Sequence, residues 1–167
     1  MAVREEAVEL TGSPSATLVI GLGNTLRGDD GVGVRVAQEL ATRSLPPGVE
    51  VVDGGTQGLA LVNLMEGRRR VVFVDAADVG RPPGEFVRFA RDEVRFLGKD
   101  QHLSAHAAGL RDALLLAEAL KMMPDEVIIY GVQPANLEWD DALSPQVEAS
   151  VPDVIAAVLA ELADRSQ

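Results

Sequence analysis

The feature that most limits what this chain can fold into is the stretch from Thr17 to Val36, Thr-Leu-Val-Ile-Gly-Leu-Gly-Asn-Thr-Leu-Arg-Gly-Asp-Asp-Gly-Val-Gly-Val-Arg-Val. A short apolar run, Leu18 to Ile20, breaks at Gly21 and Gly23. A loop with Asn24 and the pair Asp29–Asp30 follows, and a helical pattern starts near Val32. Apolar strand, glycine turn and helix is how a parallel α/β sheet opens. The loop is the unusual part: it sets two adjacent carboxylates where the commonest version of this unit holds a phosphate.

The rest of the chain continues the same alternation. A helix over about 31–43 buries Val32, Val36 and Leu40 on one stripe and is closed by Pro46–Pro47. Val49 to Val52 is a second strand, running into Asp53-Gly54-Gly55-Thr56, and a helix over about 57–66 follows. The run Val71-Val72-Phe73-Val74 is apolar on both faces, as a central parallel strand should be, and ends at Asp75. After the turn Pro82-Pro83-Gly84, residues 85–89 alternate as an antiparallel edge strand would. A polar loop over about 90–105 carries Lys99, Asp100 and His102, and Ser104 is placed to cap a long helix reaching about Met122. Residues 127–132 form another buried strand, 133–141 a loop with the only Trp, and 144–163 a final amphipathic helix. The expected fold class is α/β, a three-layer sandwich with a twisted, mostly parallel sheet of about five strands and helices on both faces. Residues 1–16 read as a flexible leader and 17–167 as a single domain.

Composition excludes several function classes. The 26 acidic against 15 basic side chains leave a net charge of −11, which repels phosphate backbones and argues against nucleic acid. Cysteine is absent, so disulfides, thiolate metal sites and cysteine nucleophiles are excluded from this chain. No apolar run is long enough to span a bilayer, and residues 1–16 lack a signal-peptide core, so the expectation is a soluble cytoplasmic protein with no membrane partner.

Ligands of open α/β sheets gather at the carboxyl ends of the strands. Those ends carry Asp29–Asp30, Asp53 and Asp75, and His106 follows a loop able to return to the same edge. Carboxylates with an imidazole suit a divalent first-row metal with open coordination positions. Each residue also has a plain structural reading. Asp30 precedes a helix and could cap it; Asp53-Gly54-Gly55 could be a tight turn; His106 could be a helix-end histidine, and His102 a surface one. Asp75 is harder to set aside, since an acid directly after Val-Val-Phe-Val is costly unless solvated or liganded. The competing motif is a dinucleotide site, Gly21-x-Gly23 with Asp53 ending the next strand. It fails at Leu26, which stands where the third glycine belongs, and at Asp29–Asp30, which would face the pyrophosphate. No Gly-Lys-Ser/Thr loop and no Gly-x-Ser-x-Gly elbow occurs.

The run from Gly21 to Gly33 resembles the N-terminal signature of the NiFe-hydrogenase maturation endopeptidases. Asp53-Gly54-Gly55-Thr56, the apolar strand ending in Asp75, and Ser104-Ala105-His106-Ala107-Ala108-Gly109-Leu110 are similar to that family's later blocks, in the same order. The resemblance covers about residues 17 to 132. It implies an enzyme that removes a short C-terminal extension from the precursor of a hydrogenase large subunit after nickel insertion. It also implies a divalent-metal site, which falls here on Asp30, Asp75 and His106. Many members carry Glu where this chain has Asp30, one methylene longer, while others share Gly-Asp-Asp-Gly. The ion expected there is the substrate's own nickel, with another divalent metal able to stand in when the protein is isolated. Asp53 is assigned the positioning of the substrate tail or help in proton transfer. Asp29 is assigned to the cap and loop, so that Asp29→Ala should be much milder than loss of a ligand. A monomer is the plainer expectation. The non-catalytic alternative is a nickel-sensing metallochaperone with the same three ligands, and the third is a nucleotide-binding α/β domain.

Overall fold

Each apolar run becomes a strand, and what separates the runs decides how the strands are joined. A computed structural model describes residues 15–93 and 105–164, with 105–108 as backbone only. The strands are β1 (Thr17–Leu22), β2 (Val49–Gly55), β3 (Arg70–Ala76), β4 (Phe86–Ala90) and β5 (Glu126–Val132). The helices are α1 (Val32–Ala41), α2 (Leu61–Met65), α3 (Ala105–Ala119) and α4 (Pro145–Ala163), with a 3-10 turn at Gly28–Gly31 leading into α1. They build one five-stranded sheet in the order β2-β1-β3-β5-β4. Helices lie between β1 and β2, β2 and β3, and ahead of β5, and parallel neighbours need such crossovers. Accordingly β1 pairs in parallel with β2 and β3, and β3 with β5. Only β4, reached from β3 without a helix, is antiparallel, at the edge beside β5.

Alternation along the strands sorts two cores. Val19, Val72, Val74, Ile128 and Tyr130 face α1 and α4, meeting Val32, Val36, Leu40 and the Val151–Val158 stripe. Leu18, Ile20, Val71, Phe73 and Ile129 face α2 and α3, meeting Leu61, Met65, Ala113 and Leu114. Every residue of β3 is buried, the mark of a strand with helices on both sides. The mostly parallel three-layer architecture is as expected.

The differences lie at element ends. β2 runs on to Gly55, which takes Asp53 inside the strand, and α2 is confined to Leu61–Met65. α3 stops at Ala119 rather than Met122 because Lys121 turns left-handed (φ 57°). The Met122 N–H then bonds the Ala117 carbonyl at 2.8 Å and the Lys121 N–H that of Glu118 at 3.2 Å, closing the helix. The leader expected over 1–16 lies, apart from Ser15 and Ala16, outside the described residues, as do His102 and Ser104. No helix among the described residues is long and apolar enough to cross a membrane.

The amino-terminal rim of the sheet is tied by charge. Arg70 opens β3 at 7% exposure, and its guanidinium is held by the carboxylate and carbonyl of Glu161 on α4. The same carboxylate accepts two bonds from Arg88 at 2.9 Å and one from the Tyr130 hydroxyl at 3.0 Å. Arg88 above all, with Tyr130 assisting, outweighs burial and holds the Glu161 carboxyl down at about 2. A carboxyl that is lower in the folded than in the unfolded chain stabilises the fold above its unfolded value. That contribution is lost as pH falls from about 4.5 towards about 2. Glu161→Gln should therefore melt below the wild type at neutral pH, and the gap should close through that acid window in thermal melts at graded pH.

Candidate active site

The site is built where the strand order turns. β2 lies on one side of β1 and β3 on the other, so the chain changes direction between the carboxyl ends of β1 and β3, and a crevice opens there. Two glycines draw the Asp30 loop into that crevice. A side chain at Gly33, the second residue of α1, would overlap the carbonyl oxygens of Val74 and Leu22, so the helix sits directly on both strand ends. At Gly23 φ is +129°, and a Cβ there would overlap the Asp30 carbonyl oxygen. The loop therefore folds back across the end of β1 and delivers Asp30 to the end of β3.

Asp30 and Asp75 are both 3% exposed. Burial pushes the Asp75 carboxyl well above the ordinary carboxylate range, and the charge of Asp30 pushes it further, against the Ala76 N–H. Asp75 Oδ1 is buried without a hydrogen-bond partner. Asp30 Oδ2 accepts the Asn24 N–H at 2.8 Å. Asp30 does not cap α1, whose N-cap is Gly31 with no side-chain bond. Two buried carboxylates side by side are unfavourable unless a proton is shared between them or a cation joins them. An anionic oxygen pair with one acceptor otherwise unused fits a divalent cation chemically.

The other expected residues divide. His106 lies in the first turn of α3, the helix that covers the face shared by Val71, Phe73 and Asp75; its side chain lies outside the described residues. Among the described residues no three acids or imidazoles converge, so the described part of the site is the Asp30–Asp75 pair. Asp53 is not brought to that pair. It alternates with Val49 and Val51, which pack on the α1–α4 side, whereas Asp75 alternates with residues on the α2–α3 side. Two strand spacings, about 10 Å, also separate β2 from β3. The Asp53 carboxylate is exposed and accepts the Gly55 N–H at 2.8 Å, closing the turn at the end of β2.

Asp29 has a larger structural part than its adjacency to Asp30 suggests. It is 0% exposed, and its Oδ2 accepts the Ala135 N–H (2.8 Å), the Asn136 N–H (2.9 Å) and the Ser144 hydroxyl (2.8 Å). Its Oδ1 accepts the Ser144 N–H at 2.7 Å. One carboxylate thus fastens the 133–144 loop and the head of α4 to the turn that carries Asp30. The sequence signal is only the doubling of the acid: two neighbouring carboxylates on a tight turn must point apart. On the Asp75 side of the sheet lies a cleft of about 180 Å³ floored by Leu22, Leu61 and Leu110 and edged by Thr56 and Gln57.

Known proteins resemble this chain in sequence and fold. Residues 34–161 match the model of a family described as hydrogenase maturation protease, a span holding Asp53, Asp75 and His106 and starting after Asp30. A hydrogenase expression/formation protein, HupM, of Azotobacter chroococcum is 40% identical over 159 residues, 93% of this chain and 76% of that protein. The hydrogenase 2 maturation protease of Escherichia coli is 35% identical over 147 residues, 87% of this chain and 89% of that protein. The solved hydrogenase maturating endopeptidase HybD of E. coli superposes with a TM-score of 0.82 at 34% identity, covering 90% of this chain and 93% of that one.

Proposed function

This chain belongs to the hydrogenase maturation protease family, and from that membership we propose that it removes the C-terminal extension of a NiFe-hydrogenase large-subunit precursor after nickel insertion. The observation that carries the site assignment is the buried, unpartnered Oδ1 of Asp75 beside Asp30. The nickel is the precursor's cargo. Asp30 and Asp75, joined by His106 from the start of α3, offer it open ligand positions, so that a precursor without nickel lacks the anchor that orients its tail. Once held there, a divalent ion supplies Lewis-acid polarisation of the scissile carbonyl.

The chain's own residues do the rest. The Asn24 N–H fixes the Asp30 carboxylate towards the crevice. Asp75 presents its unpartnered Oδ1 from the end of β3 as the second carboxylate of the anchor. The apolar cleft on the Asp75 side of the sheet receives the tail in extended form, with Thr56 and Gln57 at its edge. Asp53 closes the Gly54–Gly55 turn that borders this cleft and so shapes it from outside the reaction. The working form is a monomer in the cytoplasm.

The test is a set of single variants of the full chain, Asp30→Ala, Asp75→Ala and His106→Ala, each incubated with nickel-loaded precursor and read by the mass of the precursor's C-terminus. All three should leave the precursor at full length while remaining folded, and Asp30→Glu should still cut. Binding of Ni²⁺ or Zn²⁺ to the purified chain should weaken in His106→Ala. Processing at the wild-type rate by all three alanine variants would overturn the site; metal binding by a wild type that never shortens the precursor would make it a metallochaperone.

A further inference from the structure

We propose that Trp139, with Leu26 and Arg27 beside it, is the surface on which the large-subunit precursor docks through an Arg- or Lys-bearing segment. The inference rests on the protease reading and names the contact that brings the partner to the site. Trp139 is the only tryptophan of the chain and is 76% exposed; its neighbour across the loops, Leu26, is 59% exposed. Isolated exposed apolar residues are ordinary, but these two are held together by the backbone. The Gly28 N–H bonds the Asp140 carbonyl at 2.8 Å and the Asp140 N–H the Leu26 carbonyl at 3.0 Å. The Arg27 guanidinium lies 5.6 Å from the centre of the indole ring, and its Nε donates to the Leu137 carbonyl at 3.3 Å. Asn136 Oδ1 and Asp140 Oδ1 each accept a backbone N–H further along the loop, from Glu138 and Ala142, both at 3.0 Å. The ring is therefore presented on a braced loop, and little ordering remains to oppose association.

Charge identifies the partner's chemistry. Glu138, Asp140 and Asp141, the sequence neighbours of Trp139, are exposed, on a chain of net charge −11. Arg27 lies over one face of the ring; the exposed remainder, flanked in sequence by three acids, suits a cationic side chain, with the acids steering the approach. Position identifies the occupant. Leu26 and Arg27 run directly into Gly28–Asp29–Asp30, and Asp29 bonds the far side of the same loop, so a protein seated on Trp139 is seated beside the Asp30–Asp75 crevice.

The single tryptophan supplies the measurement. In the full-length Asp30→Ala chain labelled with fluorotryptophan, the one fluorine resonance should shift and saturate as nickel-loaded precursor is added. In an otherwise unaltered chain, Trp139→Ala should raise KM for the precursor about 10–30-fold with kcat and melting temperature unchanged. Glu138→Gln with Asp141→Asn should flatten the salt dependence of KM. A resonance that stays put in the presence of a precursor that the wild type cuts, or an unchanged KM in Trp139→Ala, would overturn the proposal. So would a shift produced by raising the chain's own concentration without precursor, which would make a second copy the occupant. A saturating shift with a wild type that cuts nothing would retain the docking surface and refute the protease reading.

Discussion

Asp75→Asn should melt above the wild type and process nothing. The wild-type side chain holds a carboxyl at 3% exposure, one oxygen unpartnered, against the charge of Asp30. An uncharged amide of the same shape removes the like-charge contact and can donate to the Asp30 carboxylate. Replacing even a buried ion pair by neutral side chains of similar volume is often neutral or stabilising by about 1–4 kcal/mol in other proteins, and a like-charge pair has no attraction to lose. For a chain of this size each kcal/mol moves the melting temperature by about 2–4 °C, so calorimetry should show a rise of several degrees. Processing should fall by more than about 100-fold, beyond what loss of a ligand's supporting partner causes. Opposite signs for stability and activity are the signature of a group kept for its chemistry. A variant that is both less stable and fully active would mark Asp75 as an ordinary packing residue.

Asp29→Ala should do the reverse, unfolding readily yet still cutting when folded. Removal of its carboxylate strands three part-buried backbone donors and the Ser144 hydroxyl. Each unsatisfied buried group costs about 1–3 kcal/mol, and a broken buried charge network about 3–5 in all. The melting temperature should drop by about 10 °C. Assayed well below that temperature, the variant should retain processing far better than Asp30→Ala, because Asp29 faces away from the crevice. The expectation of a mild substitution thus applies to the reaction and not to the fold. A chain that melts like the wild type would show that the 133–144 loop is held by something else.

The contrast between these neighbouring acids shows what a sequence of this kind makes legible. Strand β3 could be read directly, since four consecutive apolar residues ending in Asp75 have no comfortable place except between two helical layers. Asp30 could be read because glycines at 21, 23 and 33 announce a backbone packed without side chains. The clamp at Asp29 could not, as its partners are backbone N–H groups more than a hundred positions away, and every residue has one. The face on which Asp53 lies is not legible for a related reason. Period-two alternation separates it from Asp75, but with both faces of the sheet apolar, parity alone does not say which helices cover which face. Helix ends were legible only where proline or glycine marks them; the left-handed Lys121 that ends α3 carries no such mark.

The run of β3 from Arg70 to Asp75 sets the ionic knot and the buried Asp75 carboxyl at opposite rims, five rises or about 17 Å apart. Effects at that separation with no shared partner add almost independently. Heat tolerance can therefore drift, or be engineered, at the Glu161 end while the peptide-cutting end is left as it is, so relatives living at very different temperatures could keep one crevice and exchange only the fastening beneath it.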